Sequence, residues 1–223
     1  MKKNFYNWEK FHKNLKNFPA WPNEILVKLI NGKYLKNKIF LKKGSNILDV
    51  GCGFGNNLLP FNKNSYHLYG TEVSKEISKI ASNFLESLGI KAIIKKGTNK
   101  SLPFKDNFFD LLISINVLHY ENSEKNILLS LQEYRRVLKK NGSIIIFTVG
   151  PEHSIFKKSK ALGDHLYEIK DWDFRNGERY FYFESLKYLE FYSSKFFNKI
   201  ETGRVTENLM TKPLDFLILR AYK

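Results

Sequence analysis

Three glycines at alternate positions, Gly51, Gly53 and Gly55, follow a short apolar run, Ile47-Leu48-Asp49-Val50. Glycines in such a loop allow positive φ and let a ligand approach the backbone where a Cβ would obstruct it. Asp49 sits inside the apolar run, a costly place for a carboxylate unless it meets hydrogen-bond donors or a cation. Glu72 follows 23 residues after Asp49, where an acceptor-only carboxylate suits both hydroxyls of a ribose. For proton transfer the candidates are His119, whose ordinary pKa of ~6.5 leaves much of it neutral near pH 7, and His153, which follows Glu152. His12, His67 and His165 read as surface or packing residues. Arg175 and Arg179, set among Trp172, Tyr180 and Tyr182, suit a phosphate or sugar face. An ordinary structural insertion accounts for that stretch equally well. The single cysteine, Cys52, excludes an internal disulfide, a cysteine-built zinc site and a cysteine-ligated iron–sulfur cluster.

These residues need elements to hold them, and the periodicity supplies an alternating series. Helical spacing is expected over 5–17 and 22–35, with Pro19 and Pro22 as punctuation. Short strands are expected at 47–50, 66–71, 91–96, 109–115 and 143–149. A helix start at 56–62, a helix across 75–88 capped by Ser74, and a helix over 123–139 closed by Asn141-Gly142 lie between them. Strands alternating with helices require crossover connections, hence a mostly parallel sheet covered on both faces. In such a sheet, ligands sit beyond the carboxyl ends of the strands where the strand order reverses, which is where the glycine loop lies. The rhythm breaks over 151–183; 184–196 then reads as helix, and 197–203 with 214–222 as a closing strand pair.

Composition supports one folded core. The chain has 223 residues, 43% hydrophobic and 15% aromatic, a length at which a single domain is the default. Its parts are leading helices over 1–40, a ligand-binding half over 41–150, a substrate-side insertion and helix over 151–196, and the strand pair over 197–223. No apolar run approaches the ~20 residues of a membrane helix, and the start lacks an apolar signal core, so a cytoplasmic, membrane-free protein is expected. The net charge of +15 raises the question of nucleic acid. Only six of the 37 basic residues are arginine, however, and the lysines are spread among Asn, Ile and Phe as in an AT-rich coding bias. No dense arginine stretch or RNA-recognition signature is present. The charge therefore hints only at an anionic ligand.

Four ordered motifs carry a resemblance. Ile47-Leu48-Asp49-Val50-Gly51-Cys52-Gly53-Phe54-Gly55, Gly70-Thr71-Glu72-Val73-Ser74, Gly97-Thr98-Asn99-Lys100-Ser101-Leu102-Pro103-Phe104 and Phe109-Asp110-Leu111-Leu112-Ile113-Ser114 together resemble the class I S-adenosylmethionine-dependent methyltransferases, most closely the small-molecule, type 11-like domain. The resemblance covers about residues 40–150, and 197–222 is similar to that family's last strands, the final one antiparallel. It implies a Rossmann-like, seven-stranded α/β sheet with helices on both faces and S-adenosyl-L-methionine as cofactor. It places Gly51, Gly53 and Gly55, with Cys52 and Asn56 in the same loop, against the amino-acid part and ribose of the cofactor. Glu72 would hold the ribose hydroxyls, Asp49 the neighbourhood of the methionine amine, and Val73 an apolar wall of the adenine site. Asn116, after the fourth strand, belongs to the same implied set. Where the family commonly has Asp this chain has Thr98, so the adenine amino group would fall to the Thr98 hydroxyl or to Asn99. A nicotinamide reading fits less well, because the third glycine comes one position early for Gly-x-Gly-x-x-Gly.

Absences narrow the acceptor. The Pro-Pro motif of base-amine methyltransferases is missing, and the fourth strand is followed by Ser114-Ile115-Asn116-Val117. Cys52 belongs to the glycine loop and so offers no nucleophile for a pyrimidine carbon. Asn116-Val117-Leu118-His119-Tyr120 offers no carboxylates for a metal. The expectation is a metal-independent transfer to an oxygen, less readily a nitrogen, of a small or nucleotide-linked metabolite such as a sugar. His119 would be the base, His153 the second candidate, and Tyr120, Arg175 and Arg179 would face the substrate. RNA methylation and ligand binding without catalysis are the alternatives; the oligomer is monomer or homodimer. The Phe18-Pro19-Ala20-Trp21-Pro22-Asn23-Glu24 stretch is similar to bacterial small-molecule members.

Overall fold

The computed structural model describes residue 10 and residues 21–223. Apart from residue 10, the expected helix over 5–17, with Tyr6, Trp8, Phe11 and His12, lies outside the described residues. The chain enters through α1 (Glu24–Asn31), whose start is capped by Asn23 accepting the Leu26 N–H. There follow β1 (Asn46–Val50), a 3₁₀ segment (Asn56–Asn64), β2 (His67–Glu72), α2 (Lys75–Ser87), β3 (Ala92–Lys96), β4 (Phe109–Ile115), α3 (Glu124–Val137) and β5 (Leu138–Val149). Beyond these come three short strands, β6 (Lys160–Gly163), β7 (Leu166–Glu168) and β8 (Arg179–Phe181), then α4 (Leu186–Ser193), β9 (Asn198–Leu209) and β10 (Lys212–Tyr222).

The main sheet has seven strands in the order β3-β2-β1-β4-β5-β10-β9. β1 to β5 run parallel, while β10 is antiparallel to β5 and β9 antiparallel to β10. This is the Rossmann-like sheet expected, and its order reverses between β1 and β4, above whose carboxyl ends the glycine loop sits. Alternation along the central strands builds two cores. Leu48, Leu112, Ile144 and Ile146 meet α3 and α4 through Ile127, Leu131, Leu189 and Tyr192. Ile47, Leu111, Ile113, Ile145 and Phe147 face the other way, onto Leu26, Phe61 and Leu85. Period-2 strands buried on both faces thus lock the register, since a one-residue slip would exchange the two cores.

Several boundaries differ from the periodicity reading. The expected helix start at 56–62 is a 3₁₀ segment with Pro60 inside it, where proline removes a helical donor. The helix expected to run to 139 stops at Val137, and β5 begins at Leu138 because Leu138 pairs with Phe109 before the register shifts. Residues 160–181 form a separate antiparallel sheet, β6-β7-β8, over a small core of Val149, Ile155, Phe156, Ile169 and Tyr180. The connection that leaves β5 toward that sheet is tied to the main sheet at Asp215 on β10. Asp215 is fully buried, accepts the Glu152 N–H at 2.8 Å, and holds Arg204 by two bonds of 2.7 and 2.9 Å. Among the described residues no helix is long and apolar enough to cross a membrane.

Candidate active site

A cavity of about 670 Å³ opens over the carboxyl ends of β1, β2, β4 and β5. Gly51 and Gly53 take φ of 64° and 57°, the left-handed region that favours glycine. A Cβ on Gly51 would lie 2.6 Å from Val117 Cγ2, so the turn is also closed to side chains by packing. Gly55 is similar, with φ of 84° and Leu85 Cδ1 at 2.6 Å from a would-be Cβ, but it faces α2 and does not line the cavity. Its left-handed φ and its packing on Leu85 account for this glycine. Cys52 lines the cavity and packs over Gly70; burial, with Glu72 and Asp49 nearby, pushes its thiol well up, so it stays protonated.

Glu72 ties the loop to β2. Its Oε1 accepts the Gly53 N–H at 2.6 Å and its Oε2 accepts the Val73 N–H at 3.1 Å. Burial raises the Glu72 pKa while those two N–H groups pull it down. Asp49 lies beneath the loop, outside the cavity lining, and is held well above the usual carboxylate range by burial and then by Glu72. Neither Asp49 oxygen has a partner, and the same holds for Asn56 Oδ1, Thr71 Oγ1 and Asn116 Oδ1, which line the cavity. Such buried acceptors are costly unless a ligand brings donors or positive charge. An α-ammonium beside a sulfonium answers that demand, whereas a pyrophosphate would add further acceptors. The residues present therefore fit S-adenosylmethionine.

Toward β3 the wall is Val73, Gly97, Thr98 and Asn99. The Asn99 side chain is occupied in both directions, donating to Glu121 Oε1 at 3.1 Å and accepting from Tyr134 Oη at 2.7 Å. Glu121 in turn meets Lys100 at 2.9 Å. Those bonds fix the Asn99 amide within the wall, so Thr98 is left as the nearer side-chain candidate for an exocyclic amine. Glu121 and Thr71 were not singled out in the sequence. A carboxylate two residues after a candidate histidine was the available signal for Glu121.

The far end carries the other candidates. His119, His153, Tyr120, Arg175 and Trp172 all line it. His119 is 2% exposed, with its ring centroid 4.6 Å from those of both Tyr120 and Tyr180, and its Nδ1 lies 3.3 Å from Thr148 Oγ1. Burial, reinforced by Arg175 and His153, holds its pKa well below the ordinary value. His153 Nδ1 accepts the Ile155 N–H at 3.0 Å, and burial pushes this ring down to about 4 despite Asp215. Tyr180 donates to Glu178 Oε2 at 3.2 Å, so at the 2.9 Å contact between the two hydroxyls Tyr120 is the donor. Tyr120 is pushed up to about 12 by burial and Glu178, and Arg175 hydrogen-bonds to it. Arg179 is the exception: it is exposed on β8, opposite Glu168, and does not reach the cavity. Trp21 lies at the rim, 76% exposed, and is not a core residue.

Residues 48–146 match the family model described as a methyltransferase domain. An uncharacterized protein of Methanocaldococcus jannaschii is 33% identical over 187 residues, covering 83% of this chain and 82% of its own length. A human protein named as a probable tRNA methyltransferase 9B is 33% identical over 123 residues, which is 54% of this chain and 25% of that protein. Among solved structures, a Methanosarcina mazei protein described as an S-adenosylmethionine-dependent methyltransferase superposes with a TM-score of 0.67 at 23% identity, over 82% of this chain and 94% of its own.

Proposed function

The chain belongs to the class I S-adenosylmethionine-dependent methyltransferases, and from that premise we propose that it moves the sulfonium methyl to an oxygen of a small or nucleotide-linked acceptor. The supporting observation is a single cavity that runs from the glycine loop to Arg175, Tyr120, His119 and His153. A group bound at the loop end and an acceptor at the other would share one continuous space, which alignment for in-line displacement requires. In this reading Gly51, Gly53, Asn56, Glu72, Val73, Thr98 and Asn116 hold the cofactor, and the 151–183 segment selects the acceptor.

A second reading, RNA as acceptor, draws on the tRNA methyltransferase relative and on the net charge of +15. One experiment separates them. Labelled methyl from S-adenosylmethionine, incubated with the protein and a cell extract, should enter the low-molecular-weight fraction; entry into RNA would replace the first reading with the second.

A further inference from the structure

The far end of the cavity is built from donors. Thr148 is fully buried, and its hydroxyl has His119 Nδ1 as its partner. A buried hydroxyl proton without an acceptor is costly, so Thr148 donates to Nδ1 and the neutral imidazole carries its proton on Nε2. His153 reaches the same tautomer by a different route, because its Nδ1 accepts the Ile155 N–H at 3.0 Å. The Tyr120 proton is spent on Tyr180, whose own goes to Glu178. Arg175 adds a guanidinium that lines the same wall. Glu178 is wholly buried and does not line the cavity, so it compensates the tyrosines from behind. Both histidines thus present N–H groups, and neither imidazole keeps a lone pair for the proton of a neutral hydroxyl.

We infer that the acceptor is a carboxylate, held by Arg175 and the two imidazole N–H groups, and that the product is a methyl ester. The inference rests on the methyltransferase reading. A carboxylate oxygen forms the new bond to the methyl carbon as the sulfur–methyl bond breaks, its electron pair remaining on sulfur. A cation and an anion become two uncharged groups, and no proton moves. The depressed basicity of both histidines agrees with this, since neither is asked to act as a base. A donor-lined site also rejects a neutral isostere, which would leave buried N–H groups unpaired.

Two measurements test it. Calorimetry on the protein carrying the demethylated cofactor product, with benzoate and phenylacetate against benzamide and phenylacetamide, should show the acids binding at least ~10-fold tighter. Arg175→Gln should collapse that preference to within ~3-fold, while Arg175→Lys, which keeps the charge, should retain part of it. Amides binding as well as acids, or an undiminished preference in Arg175→Gln, would overturn the inference. Separately, the methyl label transferred in a cell extract should be released as methanol by mild alkali, as ethers and methylamines are not. An alkali-stable label overturns the carboxylate while leaving the methyltransferase reading intact. Failure to bind the cofactor product at all would remove that reading instead.

Discussion

Glu72 closes the glycine loop onto the second strand: its Oε1 takes the Gly53 N–H at 2.6 Å while its Oε2 takes the Val73 N–H at 3.1 Å. Each oxygen keeps a second lone pair, so the same carboxylate both shapes the loop and offers acceptors to a ribose. Glu72→Gln replaces one oxygen by an amide NH2 that faces a backbone N–H. Affinity for the demethylated cofactor product should fall by about 1–3 kcal/mol in calorimetry. A 2′-deoxyribose analogue should lose most of its handicap against that variant; unchanged discrimination would remove Glu72 from the ribose.

Gly51 has a packing demand as well as a conformational one. Its φ of 64° disfavours a side chain, and a Cβ would lie 2.6 Å from Val117 Cγ2. Gly51→Ala should therefore lose about 2–3 kcal/mol of stability, of which about 1–2 is left-handed backbone strain. Adding Val117→Ala opens the space, and the pair should recover the packing part only. Denaturant titration of the three variants reads this directly, and purely additive losses would refute the clash.

How much of this was legible in the sequence depended on how local each determinant is. β1 and β4 announce themselves through continuous apolar runs that turn out to be buried on both faces, as with Ile47 and Leu48. β6 to β8 give no such signal. They are three or four residues long, and Lys160 to Gly163 are all exposed, so no period-2 contrast exists to read. The glycine loop and Glu72 were readable because spacing along the chain sets their separation. The histidines were readable as residues but not as chemistry: Thr148 and Ile155 decide the tautomers, and the Thr148–His119 pair forms only when β5 lies beside β4. Arg179 sits exposed on β8 while Arg175 ends a 3₁₀ turn that lines the cavity, a difference that two arginines four residues apart do not reveal in the sequence.

Asp215 anchors the start of the inserted segment, at Glu152, to the main sheet. It is fully buried, holds Arg204 in two bonds and accepts the Glu152 N–H, whereas Arg204 keeps about a third of its side chain in solvent. Asp215→Asn should cost about 2–3 kcal/mol, below the ~3–5 of a wholly buried pair, because Arg204 can rehydrate. Denaturant unfolding measures this. Cofactor-product affinity should stay near wild type, since Asp215 does not line the cavity.

His153 makes stability depend on pH with a definite sign. Its folded pKa of about 4 lies below the ordinary ~6.5, so between those values the unfolded chain binds more protons. This contribution is fully present above about pH 6.5 and is lost as the pH falls toward 4. The raised pKa values of Asp49 and Glu72 act in the opposite sense, so total stability alone is ambiguous. The difference between wild type and His153→Asn isolates the histidine, and asparagine can still accept the Ile155 N–H. Unfolding at pH 7, 6 and 5 should show the variant gaining on wild type by on the order of 2 kcal/mol toward acid. A pH-independent difference would mean the imidazole is not held neutral.

His119 separates a donor from a base. Were it the general base, His119→Ala and His119→Gln would both lower the single-turnover rate by ~10²–10⁴, because neither residue can take a proton. With Thr148 donating to Nδ1, the imidazole instead offers Nε2–H to the acceptor, and a glutamine amide can place a comparable donor there. His119→Gln should then keep the rate within ~10-fold of wild type, while His119→Ala, which leaves the acceptor without that donor, should lose more. Cofactor-product affinity should change little in either, since His119 is not among the residues assigned to hold the cofactor. Equal and large losses in both variants, with cofactor binding intact, would restore His119 as the base and require a neutral hydroxyl acceptor.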